Sequence, residues 1–238
     1  MAGASHATHQ ISRCTWINPK THIISYTSIN WTLLITVLIV IVSLTLFWGV
    51  SFQNVLRNRG TKAGRNAGEN PLSPSFTIAL VGTLALFAES LVYVYLGLTG
   101  TIKVIGSFFV PTLTVQIFGS ILYALGAVLH SWSVRVRGIY AVSWEMHADH
   151  RLIRAPPYSI VRHPSYLGYM LMIVGLTLIW GNVVTLVPWI AIPGYYFVSF
   201  YEESMLLEQF GEEYRSYMKE VDAFIPRIAG HREAPEET

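Results

Sequence analysis

With 238 residues, 52% of them apolar and only 13% charged, the chain has room for one domain and is too apolar for an ordinary soluble one. A net charge of +2 gives no reason to expect a nucleic-acid partner, and a single cysteine, Cys14, excludes both an intrachain disulfide framework and a thiolate zinc site. The eight histidines show no paired metal spacing, so no metal is expected.

Residues 1–28 form a polar N-terminal segment without the basic start and apolar run of a signal peptide. Crossing about 30 Å of hydrocarbon takes roughly 20 apolar residues in a helix. Three such runs follow: Trp31 to Val50, Phe76 to Leu98 with one charge at Glu89, and Phe108 to Leu129, where Pro111 is expected to bend the start. The apolar tract from Tyr166 to Tyr201 is too long for one helix and is broken at Gly181-Asn182, which predicts a hairpin of two spans, the second carrying Pro188, Pro193 and Gly194. The expected fold is therefore all-α, a multi-pass membrane protein of about five transmembrane helices, the last two forming a helical hairpin. The organisation reads as 1–28 polar, 29–132 three spans, 133–228 a polar loop, the hairpin and a C-terminal helix, and 229–238 a charged, disordered tail without a prenylation box.

Basic residues set the orientation, because Lys and Arg in short loops stay on the cytoplasmic side. Arg57, Arg59, Lys62 and Arg65 follow the first span. Arg135, Arg137, Arg151, Arg154 and Arg162 lie between the third and fourth, and Arg215, Lys219, Arg227 and Arg232 follow the last. The other segments hold Arg13 with Lys20, Lys103 alone, and none at Gly181-Asn182. A non-cytoplasmic N terminus gathers the three rich groups in the cytoplasm.

Counting along the hairpin from Asn182 places His163 and Glu203 at nearly equal depth, at about 1.5 Å per residue, so the two are expected as neighbours at the cytoplasmic membrane surface. Arg162-His163-Pro164-Ser165-Tyr166 reads as a helix start with Pro164 at the first helical position, and the free N–H groups there can receive an anion. Adjacent carboxylates do not face the same way on a helix, so Glu202 and Glu203 are not expected to act alike, and a merely solvated helix start is an open alternative for Glu202 far more than for Glu203.

The residues His150-Arg151-Leu152-Ile153-Arg154-Ala155-Pro156-Pro157-Tyr158, then Val161-Arg162-His163-Pro164-Ser165-Tyr166-Leu167-Gly168, resemble the cofactor-binding signature of the isoprenylcysteine carboxyl methyltransferases and related phospholipid methyltransferases. Glu202-Glu203, then Phe210-Gly211-Glu212-Glu213-Tyr214 and Ile225-Pro226, are similar to the closing part of that signature. The likeness runs from about Gly126 to Ile228, under half the chain. Pro156 stands where the family usually has Gly, and Tyr195 to Tyr201 lacks the Arg that prenylcysteine-specific members tend to carry before the Glu pair.

The resemblance implies a cytoplasm-facing pocket for S-adenosyl-L-methionine, with His150, Tyr158, His163, Tyr166, Gly168 and Glu203 around the cofactor. Glu203 would hold ribose hydroxyls or the amino group, aromatic faces would pack on adenine or the sulfonium, and Gly168 would allow close approach. Arg162 would orient an anionic acceptor through its guanidinium fork, so Arg162 and Glu203 are the catalytic candidates. The implied reaction is carboxyl O-methylation of the prenylated C-terminal cysteine of proteins, in the endoplasmic reticulum membrane with the active site facing the cytosol. Methylation of a phospholipid or other small lipophilic acceptor is the alternative, and a noncatalytic membrane scaffold is the non-enzyme reading. His147 and His130 read as structural or exposed. Glu89, costly in mid-span, reads either as functional or as a protonated carboxyl bonded to a neighbouring helix. Gly119 and Gly126 are expected to serve close helix packing. Tyr195, Tyr196, Phe197, Phe200 and Tyr201 form an interfacial belt or the wall of a lipid-substrate tunnel.

Overall fold

Each long helix begins and ends where local chemistry dictates. A computed structural model describes residues 31–58, 66–67, 73–102, 106–138, 145–146 and 151–227. The polar N-terminal segment with Cys14 and the tail 229–238 lie outside the described residues. Helix α1 spans Trp31–Asn58. Helix α2, Pro74–Leu98, has Pro74 in its first turn and is capped by Ser73, whose Oγ accepts from the Phe76 N–H at 3.3 Å. Helix α3, Leu113–Arg137, is capped by Thr112 and stopped at Gly138, where φ is 59°.

The third span is thus displaced from the expected Phe108 to Leu129. Phe108 to Pro111 lie outside the helix, and the helix runs on through the polar residues after Leu129. Apolarity marks where lipid is, whereas the Thr112 cap and Gly138 mark where helix is.

The expected hairpin is present. Helix α4 spans Pro164–Trp180, and Gly181 takes the left-handed conformation, φ 64°, that a helix end of this kind requires. Asn182 then caps a 3₁₀ stretch, Val183–Ile190, accepting from the Val184 N–H at 3.1 Å, and helix α5, Ala191–Phe210, continues it. After Gly211 comes a short helix α6, Glu212–Glu220. Among the described residues, the helices are joined by a two-residue antiparallel ladder, β1 (Asn66–Ala67) with β2 (Glu145–Met146), which ties the loop after α1 to the loop after α3, and by an isolated bridge between Ser107 and Asn182.

Among the described residues, four helical stretches are long and apolar enough to cross a membrane: Trp31–Arg57, Pro74–Leu98, Leu113–Arg137 and the continuous Val183–Phe210. Helix α4, with 17 residues, is the short member. At about 1.5 Å per residue it reaches roughly 25 Å, less than the hydrocarbon thickness, so its start lies no farther out than the membrane boundary.

Side chains too small to hold backbones apart bring the helices together. A Cβ on Gly126 would run into the Gly168 carbonyl oxygen, and one on Gly119 would lie 2.9 Å from that of Gly175. The reciprocal contacts are equally tight, so α3 and α4 run antiparallel along a glycine seam, the kind of contact that substitutes for the hydrophobic effect inside lipid. A second such contact sets Gly82 of α2 on Ala191 and Gly194 of α5 on Ala79. Between the seams, Leu86, Tyr93, Tyr123, Met172 and Leu176 are fully buried. Their polar atoms pair across helices, Tyr93 with Thr36 at 2.7 Å and Tyr123 with Ser90 at 2.8 Å. The outward faces, including Leu38, Leu84 and Ile121, stay exposed, as lipid requires.

Candidate active site

The polar groups concentrate where α4 begins and α5 ends. His163 is the residue before α4 and is 6% exposed, and Glu203, equally buried, lies near the end of α5. The His163 Nε2 is 2.8 Å from the Glu203 Oε1, the contact expected from counting along the hairpin. Arg162 donates from Nε to the same oxygen at 2.9 Å.

Glu202 is where the structure departs from expectation. It is buried, not solvated: its Oε1 accepts from the Tyr166 hydroxyl at 2.5 Å, and its Oε2 is 3.5 Å from the His163 Nδ1. Consecutive helix positions diverge at Cα, but two long carboxylate side chains can converge on opposite edges of one imidazole ring lying across them. The doubling of Glu at the polar end of an apolar span was the available signal, because an unpaired charge there is costly.

An imidazole between two carboxylates is pressed toward its charged form. Burial opposes charging of His163, but the contacts with Glu202 and Glu203 outweigh it, and its pKa is raised above the ordinary histidine value. Once charged, the ring donates from both nitrogens, one to each carboxylate.

The C-terminal residues fold back over this cluster. The Arg162 and His163 N–H groups donate to the Asp222 and Ala223 carbonyls, both at 2.9 Å, and the Arg162 Nη1 donates to the Met218 and Val221 carbonyls. Phe224 lies against the His163 ring at 5.5 Å. Helix α6 is held by its own small core, in which Tyr214, Tyr217 and Val221 pack with Leu152 and Phe210. The Tyr217 hydroxyl donates to the Tyr158 carbonyl, and Arg154 sits 5.3 Å above the Tyr217 ring.

On the membrane side, the rings form a column. Tyr166 stacks on His163 at 5.8 Å and on Tyr195 at 5.3 Å, and Tyr195 stacks on Tyr169 at 5.3 Å. Tyr195 is anchored by its hydroxyl to Thr83, so it belongs to the core rather than to a surface belt. Tyr196 and Phe197, by contrast, line an apolar groove of about 640 Å³ together with Leu167, Met170, Ile192 and Phe224. Phe224 and Leu167 join groove to site, since one touches His163 and the other follows Tyr166.

The remaining expected site residues fall in different places. Tyr158 is buried, its hydroxyl 3.4 Å from the Ser133 carbonyl of α3. Gly168 does allow close approach, but to Gly126 and His130 of α3. His150, with His147, lies outside the described residues. His130 is buried against Phe47 at 4.1 Å and bonded to Ser165 at 2.8 Å, a packing role. Glu89 makes no hydrogen bond through its enclosed Oε2 among the described residues. Arg137, counted among loop charges in the sequence, is instead the last residue of α3, with its Nε shut off from solvent.

Against known proteins, residues 114–213 match the family described as phospholipid methyltransferase. The chain is 33% identical over 119 residues to a protein-S-isoprenylcysteine O-methyltransferase of Tribolium castaneum, covering 45% of this chain and 40% of that protein. It is 31% identical over 127 residues to the protein of the same name in Saccharomyces cerevisiae, covering 51% and 53%. The matches therefore span about half the length of these relatives. A solved structure of the eukaryotic intramembrane Ras methyltransferase, an isoprenylcysteine carboxyl methyltransferase, aligns with a TM-score of 0.43 at 28% identity, over 68% of this chain and 55% of that one.

Proposed function

We propose that the chain, which matches the phospholipid methyltransferase family over residues 114–213 and protein-S-isoprenylcysteine O-methyltransferases over about half their length, is an integral membrane enzyme that transfers a methyl group from S-adenosyl-L-methionine to the carboxylate of a C-terminal S-prenylcysteine. The observation that carries this reading is the buried Arg162–His163–Glu202–Glu203 cluster, which lies inside the matched region.

The residues suit the cofactor. Both contacts of Glu203 fall on Oε1, which leaves Oε2 with acceptor capacity for ribose hydroxyls or an ammonium group. No side-chain hydrogen bond from His163 caps α4, and the positive dipole end of this helix favours a carboxylate. Tyr166 offers a flat ring beside this turn, suited to an adenine or a sulfonium. When bound, the cofactor supplies an electrophilic methyl carbon and leaves as a thioether.

What the protein must do is hold the two reactants in line and keep water away. A carboxylate acceptor attacks without losing a proton, so no general base is called for. His163, fixed between two carboxylates and roofed by Phe224, is a positioning group that orders the turn where the donor sits. The adjoining groove, apolar throughout, suits a prenyl chain entering from the bilayer while the soluble donor arrives from the cytosol. The distribution of Lys and Arg supports a cytosolic site, and an endoplasmic reticulum location accords with the family.

A phospholipid acceptor is the second reading, favoured by the description of the family that residues 114–213 match. Labelled S-adenosyl-L-methionine offered with a prenylcysteine acid, with phosphatidylethanolamine and with a small thiol, each separately, tests the choice. Base-labile label on the prenylcysteine acid is expected, and label on phosphatidylethanolamine alone would transfer the assignment to the second reading.

A further inference from the structure

After α6 the chain runs as a short strap, residues 221–225, across the start of α4. Two strap carbonyls, those of Asp222 and Ala223, accept from the Arg162 and His163 N–H groups, both at 2.9 Å. The Arg162 guanidinium completes the fastening: its Nη1 donates to the Met218 and Val221 carbonyls at the end of α6, and its Nε to Glu203 at 2.9 Å. A cation suits that helix end, where carbonyls are left without partners in the helix.

Phe224 follows this anchorage directly, so its backbone has little room to move. Its ring lies 5.5 Å from that of His163, tilted by 33°. The same residue lines the apolar groove, whose other walls include Leu167 and Met170 of α4 and Ile192, Tyr196 and Phe197 of α5. Ile225, next along the strap, is 78% exposed, so Phe224 is where the packed part of the strap ends. One ring is thus shared by the charged cluster and the groove.

Methyl transfer needs its reacting atoms about 3–3.5 Å apart and in line, and a misplacement of about 1 Å can cost roughly 100-fold. An apolar groove is a poor source of that register, because apolar burial is proportional to area and has no direction. A rigid stop at the polar end of the groove supplies it. An aromatic ring with two side-chain torsions loses little freedom in that role.

We propose that Phe224 is a positioning residue for the acceptor: it is the stop between the groove and the start of α4, and it sets how far the prenyl thioether advances toward the methyl carbon. The inference deepens the prenylcysteine reading above and rests on it. It places a determinant of turnover in the C-terminal strap, outside the hairpin that carries the charged cluster.

The test uses the full-length protein in lipid-containing detergent micelles, with N-acetyl-S-farnesylcysteine as acceptor and labelled S-adenosyl-L-methionine as donor. The bonds that fasten the strap go to backbone carbonyls, which substitution of Phe224 leaves in place. Phe224→Ala is expected to lower kcat about tenfold or more, with acceptor KM and donor Kd kept within about threefold, because only the register between the reactants is lost. Phe224→Leu, which restores apolar bulk, should recover most of the turnover. In an Arg162→Lys background, where the strap is already loosened, Phe224→Ala should cost little more. Wild-type kcat in Phe224→Ala would overturn the proposal, and so would a full second loss on the Arg162→Lys background. Donor affinity weakened as much as turnover in both Phe224→Ala and Phe224→Leu would also overturn it, since the ring would then be only a cover for His163. A wild type that transfers no methyl group to the acid at all would instead remove the prenylcysteine reading itself, and the inference with it.

Discussion

The two ends of the α4–α5 hairpin handle buried polar groups in opposite ways. At the Gly181-Asn182 end, the polar contacts run mainly to backbone: the Phe108 N–H donates to the Gly181 carbonyl at 3.0 Å, the Val183 N–H donates to the Gly106 carbonyl at 2.8 Å, Asn182 caps the 3₁₀ stretch, and the uncharged pair of Trp189 with the Thr177 hydroxyl at 3.0 Å joins side chains. Such bonds satisfy groups the fold must satisfy anyway, and they serve stability. At the other end, Arg162, His163, Glu202, Glu203 and Tyr166 bond largely to one another, in a place where apolar side chains of similar volume would cost less. A charged cluster that a purely structural hairpin would do without is the ground for proposing the His163 end as the functional one.

That contrast breaks most visibly at His163. His163→Ala removes the group between two buried carboxylates, a loss of about 3–5 kcal/mol when a buried pair is broken, and donor binding and turnover should fall by roughly 100-fold or more. Membrane insertion, which the apolar spans drive, should be unaffected. Normal turnover in this variant would erase the distinction between the ends.

The pH dependence sharpens the same point. The pKa of His163 is raised in the fold, so its stabilising bridge is complete below the ordinary value of 6.5 and is withdrawn as pH climbs through the raised folded value. Donor affinity should therefore weaken on the alkaline side, and His163→Asn should show no such alkaline fall. A wild-type affinity that instead strengthens as pH rises would mean that the bridge is not protonated.

Asn182→Ala should show the opposite profile. Loss of a capping side chain costs about 1 kcal/mol, seen as a lower thermal midpoint in detergent, with KM for both substrates unchanged. The smallest expected effect is Tyr166→Phe, which removes the hydroxyl that bonds Glu202 and keeps the stacked ring. A loss of about 0.5–1.5 kcal/mol in donor affinity, a few-fold in Kd, is expected, and a much larger loss would place the Tyr166 hydroxyl on the reactants themselves.

How much of this was legible in the sequence follows the same divide. The meeting of His163 with Glu203 could be counted out, because helical rise is constant and the turn at Gly181-Asn182 is chemically obvious. The glycines of α3 announced close packing for a similar reason. Glu202 escaped notice because position along a helix fixes Cβ, not the end of a long side chain. Arg137 escaped because a run of polar residues after an apolar span reads as a loop. In the fold those residues continue the helix, with Ser133 carrying a carbonyl that receives Tyr158 and His130 bonding Ser165. Sequence pattern locates elements by their apolarity, and both misses are polar residues whose placement is decided by tertiary neighbours.

The central claim is that the His163 end binds S-adenosyl-L-methionine and the Asn182 end does not. Equilibrium binding of labelled S-adenosyl-L-methionine to purified wild type, Glu203→Ala and Asn182→Ala tests it without assuming any acceptor. The account predicts saturable binding with equal affinity in wild type and Asn182→Ala, and affinity weakened about tenfold or more in Glu203→Ala, as befits a lost charged hydrogen bond. Equal affinity in all three proteins would contradict it.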